Sequence, residues 1–220
     1  MSKMITVENK PSTFFLPARD LLAVWNAVSA EETRYYLKGV FVESISAGGM
    51  VMTATTGNIL LTADLDERAF IGADVSTQAD DRARGFILTL DTSDKALKAK
   101  ARGTVWLYGD MESGIIQALD VNERDEAGIH ARLGVVEFSR IDGTFPDYRR
   151  VMPACVPGEA KAPVCVNLDL LDDMRRAAAL YAPGRGRNPV RITAGGSGDP
   201  MLVEFTHAPH LKGVIMPMRF

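Results

Sequence analysis

The chain has 220 residues, a formal net charge of −3 and a 46% share of hydrophobic residues. This composition is too apolar for a disordered protein and is sufficient for one large or two modest domains. No window approaches ~18 uninterrupted apolar residues, and the N-terminus lacks an apolar signal segment, so neither a membrane span nor a signal peptide is predicted. Cys155 and Cys165 make a poor disulfide framework, and we expect reduced thiols in a cytoplasmic protein.

One pattern of elements recurs along the chain: a strand, a helix and three further strands. The first copy spans about 13–67; Pro17 can begin its helix, and its strands are predicted at 13–16, 35–43, 50–54 and 58–63. The second copy spans about 84–141, with a short helix ending near Ala101 and strands predicted at 85–90, 104–108, 115–121 and 129–138. The polar region 66–84 has no clear period and is predicted to be a connecting loop.

A third copy occupies residues 162–220. In it, a strand at 164–168 precedes a helix, and further strands are predicted at 190–194, 201–205 and 213–218. The pattern predicts a first domain over 1–150 that holds two copies, a linker at 151–161 and a half domain at 162–220.

The segment 213–220, Gly-Val-Ile-Met-Pro-Met-Arg-Phe, is an apolar run interrupted by one proline. Such a segment, left free in water, would be a sticky surface, so it either lies in a sheet or lines a groove. Pro217 cannot donate to a strand ladder and should mark where pairing stops.

Two further segments carry distinctive residues. Residues 33–43 read Thr-Arg-Tyr-Tyr-Leu-Lys-Gly-Val-Phe-Val-Glu, and residues 141–153 read Ile-Asp-Gly-Thr-Phe-Pro-Asp-Tyr-Arg-Arg-Val-Met-Pro. With the segment 213–220, they resemble the bacterial DNA sliding clamp, the β subunit of the replicative polymerase. That family has an R-Y-Y-L-x-G strand, a D-G-x-F-P-D-Y-R-R-V connector and a V-x-M-P-M-R-L terminus, in this order. The resemblance covers roughly the family's second domain and the closing part of its third.

The resemblance implies an α+β DNA-clamp fold of repeated βαβββ units, with helices lining the inside of a ring and antiparallel sheets outside. The family closes its rings from twelve units, so three units per chain favour a homo-tetramer of alternately flipped subunits. A trimer is the alternative, and it would need a fourth unit within 66–84.

The resemblance also implies that the helices face duplex DNA, without reading bases. Such binding depends on positive charge along the helices. The candidate DNA-binding residues are Arg19, Lys95, Lys98, Lys100, Arg102, Arg175 and Arg176. The neighbouring Asp172 and Asp173 weaken the case for the third helix.

A groove for linear peptides of polymerases, clamp loaders and other partners is implied as well. Its candidate residues are Leu37, Thr55, Gly57, Leu60, Pro146, Arg150, Val151, Val214, Met216, Pro217, Met218 and Arg219. This chain departs from the family at Thr56, Asn58 and Ile59, where Asp, His and Arg are usual. We expect a less polar pocket edge and a different peptide preference. This departure suits a shortened, divergent clamp, phage- or prophage-borne, that acts in the cytoplasm of a bacterial cell or a phage-infected host.

Enzymatic alternatives find little support in the sequence. His207 and His210 have a spacing that could hold a metal, but the intervening Pro209 favours a surface turn. The run Gly195–Gly198 lacks the lysine of a phosphate loop. The sequence therefore predicts a non-enzymatic replication processivity factor without a cofactor or metal. The alternative is a clamp-derived adaptor, or a decoy for clamp-binding proteins, that does not form a ring.

Overall fold

The computed structural model describes residues 4–45, 49–75, 83–93, 97, 103–124, 130–153, 165–182, 188–194 and 198–218. Helix α1 spans Ala18–Val24 and helix α2 spans Leu168–Ala179. Neither helix of these ranges combines the length and the apolar character needed to cross a bilayer. The strands are β1 Met4–Ile5, β2 Thr13–Pro17, β3 Val40–Ile45, β4 Met50–Thr55, β5 Ile59–Asp64, β6 Phe70–Ile71, β7 Ala83–Leu90, β8 Val105–Asp110, β9 Ile115–Arg124, β10 His130–Ile141, β11 Val190–Thr193, β12 Met201–Phe205 and β13 Ala208–Ile215.

These strands form one antiparallel sheet in the order β11-β12-β13-β5-β4-β3-β7-β10-β9-β8-β2-β6, with β1 paired to β10. The predicted α+β class is confirmed, with few helices and a dominant antiparallel sheet. The three predicted copies correspond to β2–β5 with α1, to β7–β10, and to β11–β13 with α2. The division into domains at residue 150 stays a prediction.

The first two copies exchange their first strands. Strand β2 of the first copy pairs with β8 of the second, and β7 of the second copy pairs with β3 of the first. Each first strand therefore lies beside the second strand of the other copy. This exchange buries both strands and makes the two copies one packed unit.

The third copy is joined to the first through their last strands. Strand β13 runs antiparallel to β5, from Leu211 opposite Ala63 to Ile215 opposite Ile59. On one face of this continuous sheet, α1 and α2 pack over a shared core. The amphipathic helix α2 contributes Met174, Ala177 and Ala178 to that core, as its predicted apolar stripe requires.

The predicted strand at 35–43 is wrong in its first half. Residues Tyr35–Leu37 form a 3-10 turn in which Leu37 N–H donates to the Arg34 carbonyl, and strand β3 begins at Val40. Two tyrosines and a leucine favour a strand locally. Here the turn carries the Leu37 side chain into the core, where it is buried, so tertiary packing overrides the local preference.

Three other boundaries also differ from the expectation. The strand predicted at 164–168 is reduced to one pairing of Cys165 with Met218, because Asn167 caps α2 by accepting a bond from the Asp169 N–H. Strand β13 ends at Ile215, before Pro217, and pairing returns at Met218. The described part of region 66–84 includes β6 and the start of β7.

The second predicted helix falls outside the described residues except for Leu97, which is buried.

The connector after β10 is fixed to the sheet by a buried carboxylate. Glu43 on β3 is fully buried; it accepts hydrogen bonds from the Tyr148 hydroxyl at 2.5 Å and from Arg149 Nη2 at 2.8 Å. Burial, together with the bond to Glu43, raises the pKa of the Tyr148 phenol above its ordinary value. Both donors come from the connector and bond the same oxygen, Oε1, whereas the buried Oε2 has no hydrogen-bond partner among the described residues. The carboxylate therefore depends on these two donors to offset the cost of its burial.

We therefore expect Tyr148→Phe to lower the free energy of unfolding by about 1–3 kcal/mol at neutral pH, because Glu43 loses a buried donor. The pKa of Tyr148 is higher in the folded state, so its contribution is complete below about pH 10 and is lost as the pH rises beyond it. The difference between wild type and variant should shrink above about pH 10. Urea denaturation from neutral to alkaline pH measures this; a constant difference would contradict the role given to Tyr148.

Candidate functional site

The floor of the predicted groove is one apolar cluster built from five parts of the chain. Leu37, Leu60 and Val214 are buried together. They pack with further buried side chains, Phe41, Ile87, Phe145 and Tyr148. Leu60 and Val214 lie directly opposite each other on β5 and β13. The junction between the first and third copies therefore forms this floor.

The turn between β4 and β5 closes one end of the groove. The Thr55 hydroxyl donates to the Ile59 carbonyl at 2.7 Å and accepts from the Gly57 N–H at 3.0 Å. Gly57 has φ +94°, and a Cβ there would lie 2.9 Å from a guanidinium nitrogen of Arg34. The left-handed backbone favours glycine at this point, whereas the guanidinium end of Arg34 could shift to admit a Cβ.

The segment after β13 continues along this turn. The Met216 N–H donates to the Asn58 carbonyl at 2.9 Å, and the Met218 N–H donates to the Cys165 carbonyl at 2.8 Å. Met216 and Pro217 are half-buried, and the Met218 side chain is exposed. The apolar segment that is predicted to border the groove is thus held by main-chain hydrogen bonds at Met216 and Met218.

The connector contributes to the same apolar cluster. Phe145 stacks on Phe41 with ring centroids 5.0 Å apart, and the neighbouring Pro146 is exposed. Val151 is exposed beside Met152, which packs against the floor cluster. Arg150 is exposed and paired with Asp147 at 3.0 Å. An exposed apolar side chain and an arginine therefore stand above a closed floor.

The structure thus brings the predicted floor residues together and leaves several of the predicted border residues exposed. Arg219 lies outside the described residues. The sequence analysis did not assign Arg34, Phe145 or Tyr148 to the groove. The sequence could have identified them, because Arg34 opens the distinctive Arg-Tyr-Tyr-Leu segment and Phe145 and Tyr148 belong to the connector.

The predicted DNA-facing residues have varied surroundings. Arg19 on α1 is half-buried, and its guanidinium lies 4.7 Å from the centre of the Tyr181 ring. Such a cation–π contact fixes the position of the charge. Lys95, Lys98, Lys100 and Arg102 lie outside the described residues.

The two arginines of α2 are paired within their own helix. Arg175 Nε lies 2.7 Å from Asp172 Oδ1, and Arg176 is bonded to Asp173. The hydrogen bond from Arg175 lowers the pKa of Asp172, and the bond to Asp173 raises the pKa of Arg176. Each arginine therefore faces a local carboxylate, which cancels most of its field at a distance.

A polar cluster joins α1 to the third copy behind Arg19. Asp20 Oδ1 accepts from the Tyr181 hydroxyl at 2.5 Å and lies 3.0 Å from His210 Nε2. Burial, followed by the Asp20 charge, raises the pKa of Tyr181 far above its ordinary value. His210 is thus a partner of Asp20, and His207 is exposed in the turn before β13. In the described part of the chain, no group of three or more His, Cys, Asp or Glu side chains could hold a metal ion.

No protein-family model matches the sequence. The chain is 33% identical over 131 residues to the beta sliding clamp of Caulobacter vibrioides, in both of two strains. The aligned part covers 58% of this chain and 30% of the length of those relatives.

Solved structures show the same fold. The DNA polymerase III subunit beta of Pseudomonas aeruginosa superposes with a TM-score of 0.60 at 18% identity, over 98% of this chain and 69% of that one. A sliding clamp of the same organism bound to griselimycin gives a TM-score of 0.61 at 17% identity, over 98% and 68%. The beta subunit of Thermotoga maritima gives 0.58 at 14% identity, over 98% and 68%. The chain is homologous to the bacterial beta sliding clamps and has the sliding-clamp fold.

Proposed function

We propose that this chain is a DNA replication processivity factor, a sliding clamp that encircles duplex DNA and tethers a polymerase through its apolar groove. The observation that carries the proposal is the apolar cluster of Leu37, Leu60 and Val214, formed where β13 pairs with β5. We assign the exposed Val151 and Met218 to the borders of a peptide groove above this cluster. Homology to beta sliding clamps supports the same reading.

The mechanism requires no chemical step. A closed ring on duplex DNA cannot dissociate sideways, and a polymerase bound to the ring stays at a high effective concentration near the primer end. An apolar floor with a bordering arginine, Arg150, suits a linear peptide that inserts hydrophobic anchors. Such peptides would come from the replicative polymerase and from a clamp loader.

Binding of DNA would be independent of sequence. The segment 94–102 carries four basic residues, Lys95, Lys98, Lys100 and Arg102, against the single acid Asp94. In contrast, the arginines of α2 are paired with Asp172 and Asp173. We assign most of the attraction for phosphates to the segment 94–102 and a smaller part to Arg19.

A ring of this chain needs several copies. Three units per chain fit a homo-tetramer, since four chains supply the twelve units of the family's rings. A trimer would need a fourth unit between 66 and 84, where the described residues supply only a turn, β6 and the first residues of β7. The tetramer is therefore the assembly that we propose.

The pairing of Arg175 and Arg176 favours one alternative function. With these charges compensated, the chain could serve as a peptide-binding adaptor, or as a decoy for clamp-binding proteins, that does not encircle DNA. Such a protein would bind the same peptides through the same groove. Topological retention on DNA separates the two functions.

We expect Val151→Glu and Met218→Glu each to weaken binding of a polymerase-derived clamp-binding peptide by at least about tenfold, because a charge replaces an apolar contact at the groove border. Fluorescence anisotropy of the labelled peptide measures the affinity. Leu133→Glu is the matched control, since Leu133 on β10 is as exposed as Val151 and lies outside the groove. Equal affinity in all three variants would rule out this groove as the docking site.

We expect the protein to be retained on nicked circular plasmid during gel filtration and to be released once the plasmid is linearised. Lys95→Glu with Lys98→Glu should weaken DNA association at low salt by at least about tenfold, whereas Arg175→Gln should have a smaller effect, since Arg175 is already paired. Co-elution with DNA at increasing salt measures both. Equal retention on circular and linear DNA would favour the adaptor.

A further inference from the structure

In the first two copies, each first strand lies between two fixed partners. Strand β2 lies between β6, which follows the last strand of its own copy, and β8, the second strand of the other copy. Strand β7 likewise lies between the end of β10 of its own copy and β3 of the other. A complete pair of copies therefore satisfies both edges of both first strands.

Among the described residues, the third copy makes the first of these pairings and not the second. Cys165, in the position of a first strand, pairs with Met218, which follows the last strand β13 of the same copy. Strand β11, the second strand of this copy, ends the order of the sheet, and among the described residues none pairs with its outer edge. Two edges of the third copy are therefore without a strand partner among the described residues: the edge of the Cys165 segment that faces away from Met218, and the outer edge of β11.

The exposure of the apolar side chains on β11 reflects this unpaired edge. On β8, Val105 is 1% exposed and Leu107 is 0% exposed, because β2 and α1 cover them. On β11, Val190 is 38% exposed and Ile192 is 46% exposed. Val190 and Ile192 stand opposite Phe205 and Val203 on β12 and so point to the same face as these core residues. Val190 and Ile192 therefore lie on the core face of the sheet, at a place where the described part of the chain leaves them partly exposed.

The helix of the third copy repeats the pattern. The first residue of α1, Ala18, is 0% exposed, because α1 packs against β8 of the other copy. The first residue of α2, Leu168, is 77% exposed. A helix start that is buried in the pair formed by the first two copies is thus exposed in the third copy.

We infer that the third copies of two chains join across a two-fold axis into one complete domain. The segment at 165–167 of each chain adds to the outer edge of β11 of its partner, and the partner's α2 covers Val190 and Ile192. A second copy of this chain is the fitting occupant because each third copy offers both missing parts, a first strand and an open second strand. Such a surface is self-complementary and forms a closed, isologous contact.

This interface does not depend on the DNA function proposed above, since it rests on the repeat within the chain. It does supply the flipped contact that a tetramer of three-unit chains requires. Alternate junctions of that ring would be formed by paired third copies.

We expect Val190→Asp with Ile192→Asp to raise the dissociation constant of the dimer by at least about 100-fold, because four apolar side chains lose their cover for each dimer. Sedimentation or native mass measurement should show the wild type as a dimer or tetramer and the variant at half that mass. Ile115→Asp is the matched control, since Ile115 on β9 is 37% exposed. Thermal melting verifies that the variants are folded.

Cysteine cross-linking tests the same contact without disturbing its apolar surface. In a Cys155→Ser background that keeps Cys165, single cysteines are placed in turn at positions 190 to 193. Mild oxidation should give a covalent dimer at one or two of these positions, because facing residues of paired strands have Cα atoms about 4.5–5.5 Å apart. Replacing Cys165 by serine should abolish the dimer.

The outcomes separate this inference from the proposed function. A monomeric wild type, or an assembly whose mass is unchanged by Val190→Asp with Ile192→Asp and which gives no cross-link, overturns the inference. If that unchanged assembly is still trapped on circular DNA, the clamp function stands without this interface. If a cross-linked dimer is released from circular and linear DNA at the same rate, this inference is supported and the clamp function is excluded.

Discussion

The pairing of strand edges is the constraint on which this structure depends. Main-chain N–H and C=O groups at an open edge must find partners, and here they do so between copies of one small unit. Strands β2 and β7 are exchanged within the first pair of copies, and β13 joins the third copy to β5. The same pairing creates the groove, because Leu60 and Val214 face each other across that junction. Fold and candidate site therefore share one physical origin.

Much of this could be predicted from the sequence, and the exceptions have a common cause. Apolar periodicity and turn residues located the three copies and the segment after β13, since those signals are local. The 3-10 turn at Tyr35–Leu37 was missed because Leu37 is directed inward by distant packing. The role of Glu43 was missed for a similar reason: an acid at the end of an apolar run looks solvated, and its hydrogen-bond partner Tyr148 lies 105 residues later. Contacts distant in sequence carry no signal in a local pattern.

Local partners hold the arginines of both described helices, α1 and α2. Basic residues on α2 looked like a DNA-facing surface, but Arg175 and Arg176 lie three residues after Asp172 and Asp173, a spacing that favours pairing within the helix. Arg19 is held over Tyr181, whose hydroxyl is bonded to Asp20. A helix can therefore carry arginines and still project little positive potential. For sequence reading, the net charge of each helical turn is a better guide to phosphate binding than a count of basic residues.

The segment after β13 connects the groove to the proposed dimer contact. Met216 is bonded to Asn58, in the turn beside the proposed groove, and Met218 is bonded to Cys165, whose opposite edge has no partner among the described residues. A partner strand added to that edge would restrict the motion of the residues around Cys165. Because Met218 is hydrogen-bonded to Cys165, its motion would be restricted as well. Assembly would then reduce the entropy lost when a peptide binds, so peptides should bind more tightly to the assembled protein than to the monomer. By thermodynamic reciprocity, a bound peptide would in turn stabilise the contact between copies.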